Sequence, residues 1–332
     1  MKKQFGFNLV ELMVAVAISA ALIMALTSSF SSVYGGLFFS NSKIDLQQGL
    51  RFSMNTIKRD LQNAGVFGSF SFHNQTAASA YAGVIGAVQP CTGEWCWYES
   101  ATVGVVSFTA APTGSGFTIG AGTEVLRIQY GSSKVAYLTQ FESSSSQVNR
   151  LVFGSNQGIN SSANIYMLAS TNHAYLLNVG QPSVSLVFNN LSGYNLLIES
   201  SANNISYDPD QSSMQLVNFN TKYYYYGNCQ GESGLCMATY NGTGSALSTP
   251  VLVSKVVTGL SIAYKVDITT GINHTGSTAY RWCTTAQMGS GNCLWANVTA
   301  TIVTLNGRST VASGDNSTFL TQTITDTVGW LW

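Results

Sequence analysis

Met1-Lys2-Lys3-Gln4-Phe5-Gly6 opens the chain, and Phe7-Asn8-Leu9-Val10-Glu11-Leu12-Met13-Val14-Ala15-Val16-Ala17-Ile18 follows. Two lysines precede an apolar run, which keeps this end on the cytoplasmic side of a membrane. From Leu12 to Ser40 there is no charged residue, and Leu12 to Leu26 is apolar apart from Ser19. Phe7 to Phe30, at about 1.5 Å per residue, forms a helix of about 36 Å. That length crosses a hydrocarbon core of roughly 30 Å. Glu11 lies inside the apolar run. A carboxylate there costs about 3 kcal/mol or more unless it is paired, so its presence marks function. A conventional secretory signal would lose its apolar region after a small-x-small site such as Ala15-Val16-Ala17 or Ser19-Ala20-Ala21, and an ordinary signal anchor has no use for Glu11.

Outward from this segment, composition narrows the class. The chain has 332 residues, net charge zero and only 8% charged residues, against roughly 25% in an ordinary soluble domain. With 45% apolar and 11% aromatic residues, disorder is not the reason. The solvated surface is built from Ser, Thr, Asn, Gln and Gly instead, as suits a secreted β-rich protein. The absence of a basic excess argues against a nucleic-acid partner, whose phosphates demand cations.

Six cysteines fall into three close pairs: Cys91 with Cys96, Cys229 with Cys236, and Cys283 with Cys293. An even number in an exported chain favours disulfides, and the spacing favours these three local bridges. A zinc site would want C-x2-C spacing or nearby histidine. His73, His173 and His274 lie far from every cysteine in sequence and in polar stretches, so they read as solvated, and no metal is expected.

After Ser40 charges return at Lys43, Asp45, Arg51, Lys58, Arg59 and Asp60. Leu46, Leu50, Met54, Ile57, Leu61 and Ala64 recur at steps of three and four, which is one apolar stripe on a helix. Gly65 is a C-terminal stop, and Gly35-Gly36 is a place for a kink. Beyond Phe70 the pattern turns to strands. Leu126, Ile128 and Tyr130 share one face, as do Leu260, Ile262, Tyr264 and Val266. Ala296, Val298, Ala300 and Ile302 share a face in the same way, with Thr299, Thr301 and Val303 opposite. The expected fold class is α+β: a long N-terminal helix, membrane-spanning then amphipathic, on a large antiparallel β-rich head. Expected segments are a leader at 1–6, a transmembrane helix at 7–34, its amphipathic continuation at 35–66 and the head at 67–332.

Gly6, Phe7 and Glu11 together resemble the prepilin signal of type IV pilins and type II secretion pseudopilins. In that pattern a basic leader ends in Gly, Phe begins the mature chain, and Glu is its fifth residue. Asn8 replaces the usual Thr. The resemblance implies that a membrane aspartyl prepilin peptidase cuts between Gly6 and Phe7 and methylates the new amine of Phe7. It further implies that Glu11 meets the N-terminal amine of a neighbouring subunit and sets register in a filament.

Arg51-Phe52-Ser53-Met54, Arg59-Asp60-Leu61 and Ala64-Gly65-Val66-Phe67-Gly68 resemble the helix end of PilW-like minor pilins. Thr123 to Gly131 and Val257 to Asp267 resemble later strands of that family. Asp267 lacks the acidic-glycine run that often follows it there, which weakens any calcium loop. Asp208-Pro209-Asp210 reads as a turn. A head this large would crowd a repeating shaft, and retention of Glu11 implies another subunit above. The resemblance therefore implies a structural subunit of a tip-proximal complex that initiates a type IV pilus. Its partners would be other minor pilins, the major pilin, the prepilin peptidase and the inner-membrane assembly machinery, with the membrane itself before assembly. The location would be the inner membrane with a periplasmic head, then the surface pilus. A type II secretion minor pseudopilin and a pilus-tip adhesin are the alternatives.

No G-x-S-x-G elbow, H-E-x-x-H, Walker loop or dinucleotide fingerprint is present, so neither catalysis nor a cofactor is expected. The run Tyr223 to Tyr226 has two readings: a strand covered on both faces, or a contact surface. The six tryptophans (Trp95, Trp97, Trp282, Trp295, Trp330 and Trp332) divide between core and subunit interfaces.

Overall fold

The computed structural model describes residues 9–67, 70–71, 84–86, 104–112, 115–144, 147–154, 159, 165–169, 174–178, 186–188, 214–240, 247–268, 280–291, 293–295, 298–313 and 318–329. One helix, α1 (Leu9–Gln62), opens this set; at 54 residues it is about 80 Å long. It runs unbroken through Gly35 and Gly36, neither of which has another atom near its would-be Cβ. The expected kink is absent because nothing presses the helix there. Leu46, Leu50, Met54, Ile57, Leu61 and Ala64 are all buried, so the sequence stripe is the packed face.

Strands follow in order: Val66–Phe67 (β1), Phe70–Ser71 (β2), Val84–Gly86 (β3), Val105–Phe108 (β4), Thr118–Ile119 (β5), Val125–Ser144 (β6), Gln147–Phe153 (β7), Ile165–Ala169 (β8) and Ala174–Asn178 (β9). Val187–Phe188 (β10), Gln215–Cys229 (β11), Glu232–Tyr240 (β12), Val251–Ser254 (β13), Val257–Asp267 (β14), Tyr280–Thr284 (β15), Val298–Ser313 (β16) and Thr318–Gly329 (β17) complete them. The large sheet runs β10-β7-β6-β11-β8-β9-β3, with β12 and β5 also on β11, β13 on β12 and β4 on β6. The second sheet runs β15-β14-β16-β17. Among the described strand pairs, β3 with β9 is parallel, and the pairs of β11 with β5, β6, β8 and β12 and of β14 with β15 and β16 are antiparallel.

By internal packing the chain divides into two units, 1–48 with 308–322, and 49–307 with 323–332. In the first, the Arg308 guanidinium lies 4.4 Å over the Phe319 ring, and the Leu320 amide donates to the Ser309 hydroxyl at 3.0 Å.

The second unit is organised by β11. Its C-terminal half pairs with β6 on one side and β12 on the other. Tyr223, Tyr224 and Tyr225 are wholly buried there. Strand alternation sends Tyr223 and Tyr225 into a core with Phe117, Val125, Cys229, Cys236 and Ala238. Tyr224 takes the opposite face, towards α1. The tyrosine run is therefore a doubly covered strand, and the contact-surface reading fails for these three residues. β11 and β12 join through Gln230 and Gly231, both at positive φ (57° and 83°), which is the two-residue turn whose twist suits a hairpin. The disulfide Cys229–Cys236 ties this hairpin.

One alternation expected from sequence shifts. Val298 pairs with Val266, yet Ala300 pairs with Lys265. The bulge at Thr299 inserts a residue and reverses the parity of everything after it. Val298, Thr301, Val303 and Leu305 consequently line the buried face, and Ile302 is turned away from it. The Thr299 hydroxyl donates to the Lys265 carbonyl at 3.1 Å.

Candidate functional site

The N-terminal part of α1 presents its apolar side chains outward. Every residue from Leu9 to Tyr34 is exposed, although the run is long and apolar enough to cross a membrane. An amphipathic core helix would bury one stripe of this segment; here the solvent for the whole circumference must be lipid or other helices. Within the run the Thr27 hydroxyl donates to the Ile23 carbonyl at 2.7 Å, so this polar group meets its partner inside the helix, as a hydrocarbon surrounding demands. Glu11 stands in the first described turn, where the helix dipole favours an acid. Gly6 and Phe7 lie outside the described residues.

The other end of α1 is fastened. Asp60 is 4% exposed, and its carboxylate accepts two hydrogen bonds from the Lys222 ammonium, at 2.8 and 2.9 Å. The Tyr224 hydroxyl donates to Asp60 Oδ2 at 2.5 Å. The Lys222 ammonium also lies 5.4 Å over the Tyr130 ring. Burial alone would pull the Lys222 ammonium down, but hydrogen bonding to Asp60 and the Tyr130 and Asp60 charges outweigh it, and the balance is upward. Burial, then the Asp60 charge, drive the Tyr224 phenol far above its ordinary range. Asp60 was visible in sequence as an acid three residues after Ile57 and four before Ala64, on the apolar stripe itself. Its partners, 162 and 164 residues away, carried no such signal.

Just past the helix, Gly65 adopts φ 72°, and its amide donates to the Gln129 carbonyl at 2.9 Å. Gly104, at φ 68°, lies back to back with it; a Cβ on Gly104 would fall 2.4 Å from the Gly65 nitrogen and 2.7 Å from the Gln129 oxygen. The helix exit is thus locked between β6 and the start of β4.

A second buried polar group joins the two sheets. The Tyr264 hydroxyl donates to Ser107 Oγ at 2.6 Å, and Ser107 Oγ is 2.7 Å from Thr285 Oγ1. Thr285 also hydrogen-bonds the Glu124 carboxylate, which accepts the Ile262 amide as well. Thr285 Oγ1 is also placed 3.5 Å from the Ile262 carbonyl, which can accept from it. Burial raises the Glu124 carboxyl above its ordinary value, against the hydrogen bonds from Thr285 and Ile262 that pull it down. The disulfide Cys283–Cys293 closes the loop that carries Thr285. Sequence reading missed this group because its members are scattered over four segments.

Among the sequence candidates, Cys91, Cys96, His73, His173 and His274 lie outside the described residues. So do Asp208, Asp210, Trp95, Trp97, Trp330 and Trp332. Trp295 is buried edge-on to Tyr264, and Trp282 is exposed. Among the described residues no group of three His, Cys, Asp or Glu is placed to hold a metal ion.

Residues 1–27 match the model of the prokaryotic N-terminal methylation motif. The chain carries a type IV prepilin-like signal. This motif supports a type IV pilin-like or pseudopilin protein and implies processing by prepilin peptidase and membrane-based pilus assembly. The apolar helix fits anchoring in the inner membrane followed by incorporation into a pilus. Neither curated proteins nor solved structures gave a match to the chain.

Proposed function

We propose that the protein is a PilW-like minor pilin, a structural subunit of a tip-proximal complex that starts pilus assembly. The observation that carries this reading is the exposed apolar half of α1, with Glu11 in its first turn, inside a methylation motif. Cleavage after Gly6 frees the Phe7 amine. In the filament core the helices exchange lipid for one another, and Glu11 finds a cation in the methylated amine of an adjacent subunit. A carboxylate in an apolar medium has no cheaper partner. The Asp60 clamp and the Gly65–Gly104 contact hold the last turn of α1 and its exit against the neighbouring strands.

The large β-rich head supports a minor over a major subunit, since a shaft repeats its subunit at close spacing. Two measurements test the reading. N-terminal sequencing of the chain from sheared filaments is expected to begin at methylated Phe7; a start at Met1 or beyond Ala20 would refute it. Deleting the gene is expected to reduce surface pili while the major pilin level stays normal. Normal piliation with a failure of protein export would assign the chain to a secretion pseudopilus instead.

A further inference from the structure

The sheet β15-β14-β16-β17 ends in two edge strands, and no other described strand pairs with β15 or β17. Edge strands are normally blunted by proline, free charges, a bulge or a cover. The part of β17 in the second unit, Thr323 to Gly329, has no proline and one charge, Asp326. The Lys58 ammonium meets that carboxylate at 2.8 Å. At the other edge β15 exposes Tyr280, Arg281 and Trp282 in succession, the two rings to 47% and 48%.

Strand direction limits what can pair with these edges. β14 is antiparallel to both β15 and β16. Thr304 meets Thr325 and Asn306 meets Thr323; partners that rise along one strand as they fall along the other make β16 and β17 antiparallel. Four alternating strands leave β15 and β17 pointing opposite ways. A second copy displaced sideways without rotation therefore brings its β15 antiparallel to β17. Antiparallel pairing of β17 with β17 would instead turn one copy end over end. Copies held in one membrane or one filament share a direction, a requirement that rests on the filament-subunit reading.

We infer that this sheet continues from copy to copy, with β17 of one chain pairing with β15 of its neighbour. Side-chain parity selects the register. Thr325 shares its face with Thr304, opposite the buried Val303 and Leu305, so Thr323 and Thr327 are also outward and Asp326 is inward. On β15, Arg281 lies on the same side as buried Cys283, with Tyr280 and Trp282 on the other. Placing Arg281 of the neighbouring copy opposite Asp326 sets its Trp282 opposite Thr325 and its Tyr280 opposite Thr327. Opposite charges and an aromatic facing a β-branched residue are both stabilising cross-strand pairs. Arg281 makes no ion pair among the described residues, and the Asp326 side chain is still 36% exposed beside Lys58. Five residues of pairing fall well short of the roughly 20–30 residues a side of a stable interface, so the contact forms where anchors concentrate the copies.

The test uses the full chain reconstituted in lipid vesicles, with copper–phenanthroline oxidation of cysteines introduced at facing positions. A mixture of the Thr325→Cys and Trp282→Cys variants is expected to give at least tenfold more cross-linked dimer than either alone. The chain carrying both substitutions is expected to give a ladder of dimers, trimers and longer species. Thr327→Cys with Tyr280→Cys repeats the test at the second facing pair. Adding Arg281→Glu is expected to cut the yield at least fivefold, and Arg281→Lys to keep most of it. These side chains are exposed or half-exposed, so each variant keeps the native circular dichroism and disulfides, which is checked. Absence of mixed dimer at both pairs, or a yield that Arg281→Glu leaves unchanged, overturns the inference. So does efficient self-linking of one single variant, or a ladder that stops at the dimer, since either means a two-fold contact. Cleavage at Phe7 without cross-linking removes this inference and leaves the filament-subunit reading standing; cross-linking with normal piliation in the deletion strain does the reverse.

Discussion

Replacing Asp60 with alanine should release α1 from the sheet. The carboxylate is 6% exposed at the side chain and Lys222 19%. Breaking a buried pair by removing one partner costs about 3–5 kcal/mol, and the partial solvation of Lys222 moves the figure to the lower end. The buried Tyr224 hydroxyl loses its acceptor as well, which costs about 1–3 kcal/mol. The two terms share one carboxylate and do not add fully, so the expected loss is about 4 kcal/mol. Asp60→Asn keeps an oxygen for Tyr224 but leaves the ammonium unneutralised, for about 2–3 kcal/mol. Urea unfolding of the detergent-solubilised chain measures both, and hydrogen exchange locates the effect in the last turns of α1. The double variant Asp60→Leu with Lys222→Met should recover to within about 1 kcal/mol of the native protein, since an apolar pair of similar volume avoids desolvation. A loss under about 1 kcal/mol for Asp60→Ala, or single-variant losses that simply add in the double, would refute the clamp.

Three further outcomes are expected. The raised Glu124 carboxyl means that its protonated form contributes stability fully present below the ordinary value of 4.5 and lost as pH rises through the higher folded value. Glu124→Gln should flatten this slope and leave the protein no less stable at neutral pH, as thermal unfolding between acid and neutral pH would record. Cys283→Ser with Cys293→Ser opens a loop of separation 10 and should cost about 2–3 kcal/mol, with increased protease cleavage near Thr285. Gly104→Ala, with positive φ and backbone atoms inside 3 Å of the new Cβ, should cost about 3–5 kcal/mol. Gly122→Ala, with φ 69° but open space around it, should cost only about 1–2 kcal/mol; equal losses at the two glycines would show that the lock at Gly65 is unimportant.

Local pattern was enough for the elements whose physics is local. The uninterrupted apolar run with one acid, the stripe from Leu46 to Ala64 and the alternation from Leu260 to Val266 each depend on residues within a few turns or strand steps, and each stands in the structure as its periodicity required; the methylation motif is local in the same sense and matches its family model over residues 1–27. Spacing likewise pointed to the pairs Cys229–Cys236 and Cys283–Cys293, because short loops bring those sulfurs together. What depended on distant neighbours could not be read in advance. The bulge at Thr299 arises from how β16 registers on β14, and it alone decides that Thr301 faces inward and Ile302 outward. Asp60 acquires its partners because β11 brings Lys222 and Tyr224 to the helix, whereas Tyr223 and Tyr225 are buried on the other face of the strand against Phe117 and Cys236. Which rings stay uncovered, Tyr280 and Trp282 among them, follows from β15 being an edge strand on an open sheet face. Side-chain chemistry sets what a residue can do, but burial and partners are properties of packing, and packing is chosen by the whole chain at once.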